Sequence, residues 1–383
     1  MSRFLVVTWD GAGNLVSTLA IARGLAQRGH DVRMLGHRSI EDRCGSHGWS
    51  FRPFVHTADF DSTAPMDGGD EFALLSRDLW FSAAVATDVQ EELEREPADV
   101  VVADCMLTGA LSAAQAAGVP AAALFHSPYC GFRAGPMVEM LQPGVPMLNA
   151  LRDGLGLAPV TGMADVHDAC ALSIVCTPRE FEIDMPHPAN VRFVGPILDG
   201  PLISKQVDEV SMDDGREPLV VVSFSTSYQQ QLDPLQRVVD ALGGMDVKGV
   251  VTTGTAISPD AVSAPANVSV VRFADHRRLL PSASVIVTHA GLGTVMNALS
   301  HGVPMLCMPM GRDQFFNAAM IERLGTGRVI DASADTATIS AGVQAVLEDP
   351  EPKAAVKRVA SVIAGYGGAT EAVSELERVA AHP

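Results

Sequence analysis

The stretch VIVTHAGLGT, from Val285 to Thr294, carries the clearest chemical signal in the chain. A β-branched run ends at His289, Gly291 and Gly293 make a tight turn, and a helical pattern, TVMNALSHG, begins at once. A helix that starts above a strand presents amides with no internal acceptor, and its dipole favours negative charge. The two glycines allow close approach of the backbone to a diphosphate. Thr294 adds a hydroxyl, and His289 at the strand end can donate a charge-assisted hydrogen bond. Asp313 and Gln314 come after the next apolar run, VPMLCMP, so they belong at the same edge of a parallel sheet, where they can accept from ligand hydroxyls.

A second group lies in the first half. Asp104 closes the run DVVVAD and His126 follows the next one, PAAALF, which places a carboxylate and an imidazole near each other at one sheet edge. Asn14 stands just before a helical pattern, where an N-cap asparagine is favoured. Asp59-Phe60-Asp61 has the spelling of a metal-binding DxD, but it sits among Thr, Ser, Pro and Gly with no strand beside it and reads as a solvated loop. No metal is expected.

These residues need a scaffold that gathers strand ends. The first half alternates FLVVT, LVSTLAIARGLAQRG, DVRMLG, DVVVAD, LTGALSAAQAAG and PAAALF; the second half runs through PLVVVSF, GVVTTG, VSVVRF, SVIVTH and VPMLCMP. This is the rhythm of doubly wound parallel sheets, an α/β fold in two halves. The length of 383 residues also suits two domains. The segment from Gly195 to Pro218, rich in Pro, Gly and Asp, reads as the linker, and a boundary near residue 205 separates 1–204 from 205–383. Two helices separated by Gly365, Gly367 and Gly368 end the chain, the last expected to pack back on the first domain. The irregular segments 54–90 and 128–165 sit at strand ends, and Phe72, Leu75, Trp80, Phe81, Met137 and Met140 in them suit an apolar pocket.

The run from Asn267 to Gly327, with His289, Gly291, Gly293, Thr294, Asp313 and Gln314 in register, resembles the donor-site signature of the nucleotide-sugar-dependent family 1 glycosyltransferases, in particular the bacterial antibiotic and macrolide enzymes. The resemblance implies a GT-B fold, two Rossmann-like domains facing across a cleft, the first for the acceptor and the second for the donor. It implies that His289 and Thr294 hold the donor diphosphate and that Asp313-Gln314 bind the sugar. Phe273 would stack on the base, Ala274 would read its edge, and Ser227, in the polar loop Ser225-Thr226-Ser227, would line the donor site. It implies inverting transfer from a TDP- or UDP-sugar to a lipophilic aglycone.

Anchoring on Arg28-Gly29-His30 puts Asn14 where the family has its catalytic histidine, while Asp104 matches the acid that orients it. Three replacements for the missing base follow: Asp104 itself, with a pKa raised by burial; His126; or an intrinsically reactive acceptor. Asp104 is the expected one. A nucleotide-sugar-binding protein without catalysis is the alternative. A dinucleotide-dependent oxidoreductase, suggested by strand FLVVT leading through Gly11 and Gly13 into a helix, is remote, because Val16 stands where the third glycine of the fingerprint belongs.

A net charge of −18 argues against a nucleic-acid partner. With no run of about twenty apolar residues and no basic-then-apolar start, the protein is expected in the cytoplasm, without a membrane partner, as a monomer or homodimer. The cysteines Cys44, Cys105, Cys130, Cys170, Cys176 and Cys307 form no CxxC pair and read as buried thiols.

Overall fold

The computed structural model describes residues 1–11, 13–45, 47–61, 68–198, 208, 217–224 and 230–382. The linker and the boundary expected near residue 205 therefore fall largely outside the described residues, as does Ser227. The chain forms two compact units: one combines Met1–Asp61, Gly69–Pro201 and Tyr366–Pro383, and the other is built on Leu202–Gly365.

The first unit centres on a seven-stranded sheet, β1 (Arg3–Val7), β2 (Asp31–Gly36), β3 (Ser50–Pro53), β4 (Val100–Asp104), β5 (Ala121–Phe125), β6 (Leu172–Val175) and β7 (Val191–Phe193), in the order β3-β2-β1-β4-β5-β6-β7. All pairs are parallel. The winding reverses between β1 and β4, which pair from Phe4–Val100 to Val7–Ala103. β4 and β5 are buried along their whole length, as expected of central strands covered on both faces.

The second unit has a six-stranded parallel sheet: β8 (Leu219–Ser223), β9 (Lys248–Thr252), β10 (Val268–Val271), β11 (Val285–Thr288), β12 (Met305–Cys307) and β13 (Gly327–Val329), ordered β10-β9-β8-β11-β12-β13. Here the reversal lies between β8 and β11. Both sheets are thus doubly wound, with the GT-B type of α/β architecture. Among the described residues no helix is long and apolar enough to cross a membrane.

The helix Gly13–Gln27 is buried on most of its faces because two layers cover it: its own sheet and the terminal helix Gly368–Ala381. A Cβ on Gly24 would come within 2.8 Å of Val373, so a glycine is what lets the two helices approach. The terminal helix is fastened at its start by Gly368 N–H to the Val194 carbonyl (2.8 Å) and near its end by His30 Nε2 to Glu377 Oε1 (2.9 Å). Tyr366, whose hydroxyl accepts from Arg179 N (2.8 Å), lies over Gly195, which has a φ of +77°. Gly195→Ala would place a methyl inside the Tyr366 side chain and force an L residue into the left-handed region. We expect a loss of at least ~1–2 kcal/mol and a matching drop in Tm by calorimetry.

Candidate functional site: two strand-edge clusters

In the first unit the site grows from the carboxyl ends of β1 and β4, where the sheet reverses. After β1 the chain makes two short turns, Gly11 N–H to Trp9 O (3.0 Å) and Gly13 N–H to Gly11 O (2.9 Å), before the helix Gly13–Gln27 takes over. A Cβ on Gly11 would meet the Trp9 ring at 2.8 Å, so this glycine makes room for the indole rather than for a dinucleotide. The indole in turn reaches across to β4, and Trp9 Nε1 donates to Asp104 Oδ2 at 3.1 Å. Trp9 was not singled out by sequence reasoning; its only signal is a bulky aromatic with a polar atom at the end of a buried strand.

Asp104 is 2% exposed, and donors surround its carboxylate. Oδ2 accepts from Trp9 and from Asn14 Nδ2 (2.9 Å). His126 Nε2 lies against both oxygens, hydrogen-bonded to Oδ1 at 3.1 Å and 2.9 Å from Oδ2. Oδ1 accepts from the Met106 amide at 2.9 Å. Burial pushes the Asp104 carboxyl up, but the neighbouring His126, the Met106 amide and Asn14 together outweigh it, and the group ends below its ordinary value. This corrects the expectation that burial would make Asp104 a stronger base: its lone pairs are engaged and its basicity is reduced.

Asn14 departs from its expected role as well. It lies within the first turn of Gly13–Gln27, 2% exposed, and its amide does not cap the helix. Nδ2 donates to the Trp9 carbonyl (3.1 Å) and to Asp104, both acceptors, so the nitrogen must face them. Oδ1 is buried without a partner among the described residues. His126 follows β5, and its side chain keeps 19% of its surface exposed against 1% for Asp104.

Asp104, Cys105 and His126 offer three potential metal-ligating atoms within 4.8 Å of one another. They fit a metal poorly. The carboxylate is already filled by N–H donors that an ion would have to displace, and burial raises the Cys105 thiol well above its ordinary pKa, which keeps it protonated. Asp59 and Asp61 are exposed, while Phe60 between them packs against the Trp9 ring at 5.8 Å.

In the second unit the corresponding edge holds the glycine turn. The helix Leu292–His301 has Gly291 at its N-cap with no side-chain cap, and its first backbone bond comes from Val295, so the amides of Leu292, Gly293 and Thr294 precede any helical acceptor. His289 is 7% exposed, and a Cβ on Gly291 would overlap its ring, so the glycine is what allows the imidazole to lie against the helix start. Burial pushes His289 down to about 4, opposed by the Ser223 backbone and reinforced by Arg312. The histidine is therefore neutral, and the expected charge-assisted donor is corrected to a neutral N–H in the ligand-free protein.

Two residues at this edge have positive φ without being glycine: Ala290 (+66°), after β11, and Arg312 (+55°), after β12. Such backbone is costly and persists only where neighbours hold it. Asn317, fully buried on the helix Gln314–Arg323, supplies the hold: its Nδ2 donates to the Ala290 carbonyl (2.9 Å) and to Asp313 Oδ2 (3.0 Å). Sequence reasoning missed this residue. Gln314 Oε1 accepts from the Met310 and Gly311 amides (2.8 and 3.1 Å), so one end of this side chain shapes the loop. Asp313 is half-buried at the start of the helix. Phe273 and Ala274 are half-buried beyond β10, and Phe273 O accepts from Asp208 N at 2.9 Å.

Of the residues expected to line an apolar pocket, Trp80 and Phe81 are buried in the same cluster as Trp9 and Cys105, and Phe72 and Met137 pack against it partly exposed. Phe81 is only 2% exposed, and a Cβ on Gly144 would fall inside its ring. It is a packing residue rather than part of a lining, because the close approach of the Gly144 backbone covers it. Trp80 ends a π-helical turn, Ser76–Trp80, and Phe72 meets its indole edge-on at 5.4 Å.

The lowered Asp104 pKa sets a stability prediction. The folded value lies below the ordinary 3.8, so the contribution is complete above that pH and is lost as the pH falls through the folded value. Asp104→Asn should flatten the acid limb of stability below about pH 4 while lowering stability at pH 7. Urea unfolding from pH 2.5 to 7 measures both.

Comparison with known proteins agrees with this architecture. Residues 236–379 match the family model described as "Erythromycin biosynthesis protein CIII-like, C-terminal domain". The chain is 27% identical to 4'-demethylrebeccamycin synthase of Lentzea aerocolonigenes over 98% of its own length and 99% of that protein's. Among solved structures, the glycosyltransferase of kitacinnamycin superposes with a TM-score of 0.81 at 23% identity, covering 99% of each chain. The glycosyltransferase VinC, solved in complex with dTDP, superposes at 0.77 and 20% identity over the full length of both chains. With two doubly wound sheets, the glycine turn at the second reversal and a relative spanning both units, the chain has the GT-B fold and is similar to glycosyltransferases of the antibiotic-biosynthesis type, its residues 236–379 matching the EryCIII-like C-terminal domain.

Proposed function

We propose that the protein is an inverting, metal-independent glycosyltransferase that moves a sugar or deoxysugar from a TDP- or UDP-sugar to a small lipophilic natural-product acceptor in the cytoplasm. The observation that carries this reading is the uncapped start of Leu292–His301, with three amides aimed past the end of β11 and His289 lying over Gly291. Such a helix start binds a diphosphate and neutralises the charge that grows on it as the sugar departs. His289 contributes an N–H, and an arriving dianion raises the basicity of the imidazole beside it. Asp313 would accept from the sugar hydroxyls, Phe273 would face the base, and Phe72, Trp80 and Met137 would provide apolar contact for the acceptor. The dTDP held by VinC supports a thymidine nucleotide as the donor's carrier.

In this reading no metal or cofactor is needed, since helix dipole, amides and histidine supply the electrostatics. Neither nucleic acid nor membrane is a partner, in keeping with the −18 charge. A second reading, a nucleotide-sugar-binding protein without catalysis, is favoured by the amide at position 14. The two readings part on single-turnover transfer, which only the enzyme performs.

Two outcomes test the donor site. His289→Ala should weaken TDP binding measured by calorimetry and raise the transfer barrier by about 2–4 kcal/mol; unchanged affinity and rate would show that the turn is not the donor site. Transfer should also survive exhaustive EDTA treatment. Loss with chelator and return with magnesium or manganese would contradict metal independence.

A further inference from the structure

Position 14 makes the hydrogen bond to Asp104 that the family resemblance assigns to a histidine, but it makes it with an amide. Asn14 Nδ2 lies 2.9 Å from Asp104 Oδ2, and an amide does not take up a proton at neutral pH. An imidazole lies against the same carboxylate. β5 runs beside β4 with Asp104 opposite Leu124, so His126, two residues further on, emerges at the same edge, and its Nε2 is hydrogen-bonded to Asp104 Oδ1 at 3.1 Å and lies 2.9 Å from Oδ2. Trp9 Nε1 and the Met106 amide hold the carboxylate in place from other directions. Of the three side chains, Asn14 and Asp104 are almost completely buried, and His126 alone retains appreciable exposure, at 19%.

We propose that the general base of this enzyme has moved from the first helix to the end of β5: His126 is the catalytic residue, and Asp104 is the positioning residue that fixes its tautomer. This rests on the glycosyltransfer reading above. With the Nε2 proton directed at Asp104, the basic lone pair of the neutral ring is on Nδ1. The nucleophilic atom of the acceptor carries a proton, as a hydroxyl or an N–H. As it bonds to the anomeric carbon, the bond from that carbon to the diphosphate oxygen breaks and its electron pair leaves with the diphosphate. The proton passes to His126 Nδ1, and the imidazolium is balanced by Asp104, which stays ionised. Asn14 keeps the carboxylate aligned.

The test uses the full chain, TDP-glucose and UDP-glucose as donors, and 4-methylumbelliferone as a probe acceptor, with donor hydrolysis by water measured in parallel. His126→Gly should slow turnover by about 100-fold or more. TDP affinity, which reports the other unit, should be unchanged. Added imidazole should restore the rate by roughly tenfold, as expected when a proton acceptor is supplied from solution. His126→Gln, which can still donate to Asp104 but cannot take a proton, should be equally slow, and it serves as the folding-competent variant should the glycine replacement destabilise the unit. Near-normal turnover in either variant, or a loss in His126→Gly that imidazole does not relieve, overturns the relocated base while leaving glycosyltransfer intact. A wild-type protein that binds no nucleotide diphosphate and turns over neither donor overturns the glycosyltransfer reading, and this inference with it.

Discussion

Both chemical clusters exist because a parallel sheet that winds in two directions must reverse somewhere. At the reversal, the connections leaving two adjacent strands depart to opposite sides, and the loops above the strand ends separate. In the first sheet this happens between β1 and β4, and there Trp9, Asn14 and Asp104 converge with His126 from β5. In the second it happens between β8 and β11, and there His289 and the start of Leu292–His301 lie. The apolar runs of β4, β5, β8 and β11 thus do two jobs at once, since burying them on both faces fixes the strand ends that carry the polar groups.

The two histidines show how burial acts through what stands next to it. Burying an imidazole disfavours its charged form, and His289, with Arg312 nearby, is pushed to about 4. His126 is bound to a carboxylate that would itself be expensive to bury alone. That carboxylate also accepts from Trp9, Asn14 and the Met106 amide. His289 is suited to giving a neutral hydrogen bond, whereas His126 is held against a carboxylate.

The second cluster adds strain to this. Ala290 and Arg312 hold φ values that L residues avoid, one after each of two neighbouring strands. Their positions are kept by a buried amide, Asn317, which joins the Ala290 carbonyl to Asp313. The effect is to fix loop geometry around the helix start before any ligand arrives, which lowers the ordering cost of binding. The hold depends on a helix one connection further along the chain.

The sequence by itself determined the strands that form the sheet centres, the glycine turn, the acid at the end of β4 and the two helices that end the chain, because these are written in local periodicity and turn chemistry. The edge and near-edge strands β3, β7 and β13 were not legible. They are short and partly exposed, so no apolar run marks them. Nor were the roles of Asn14 and Gly11, which by local rules are a helix cap and a nucleotide-loop glycine, and which instead bind a carboxylate 90 residues away and accommodate an indole. Trp9 and Asn317 carry no motif at all. Only the tertiary structure decided that Asp104 is saturated and less basic, that His289 is neutral, and that His126 shares the Asp104 carboxylate with Asn14. The physical reason is common to all of them. A side chain's ionisation and hydrogen-bonding role depend on which groups lie within about 3 Å, and in a parallel sheet those groups come from strands far apart in the chain.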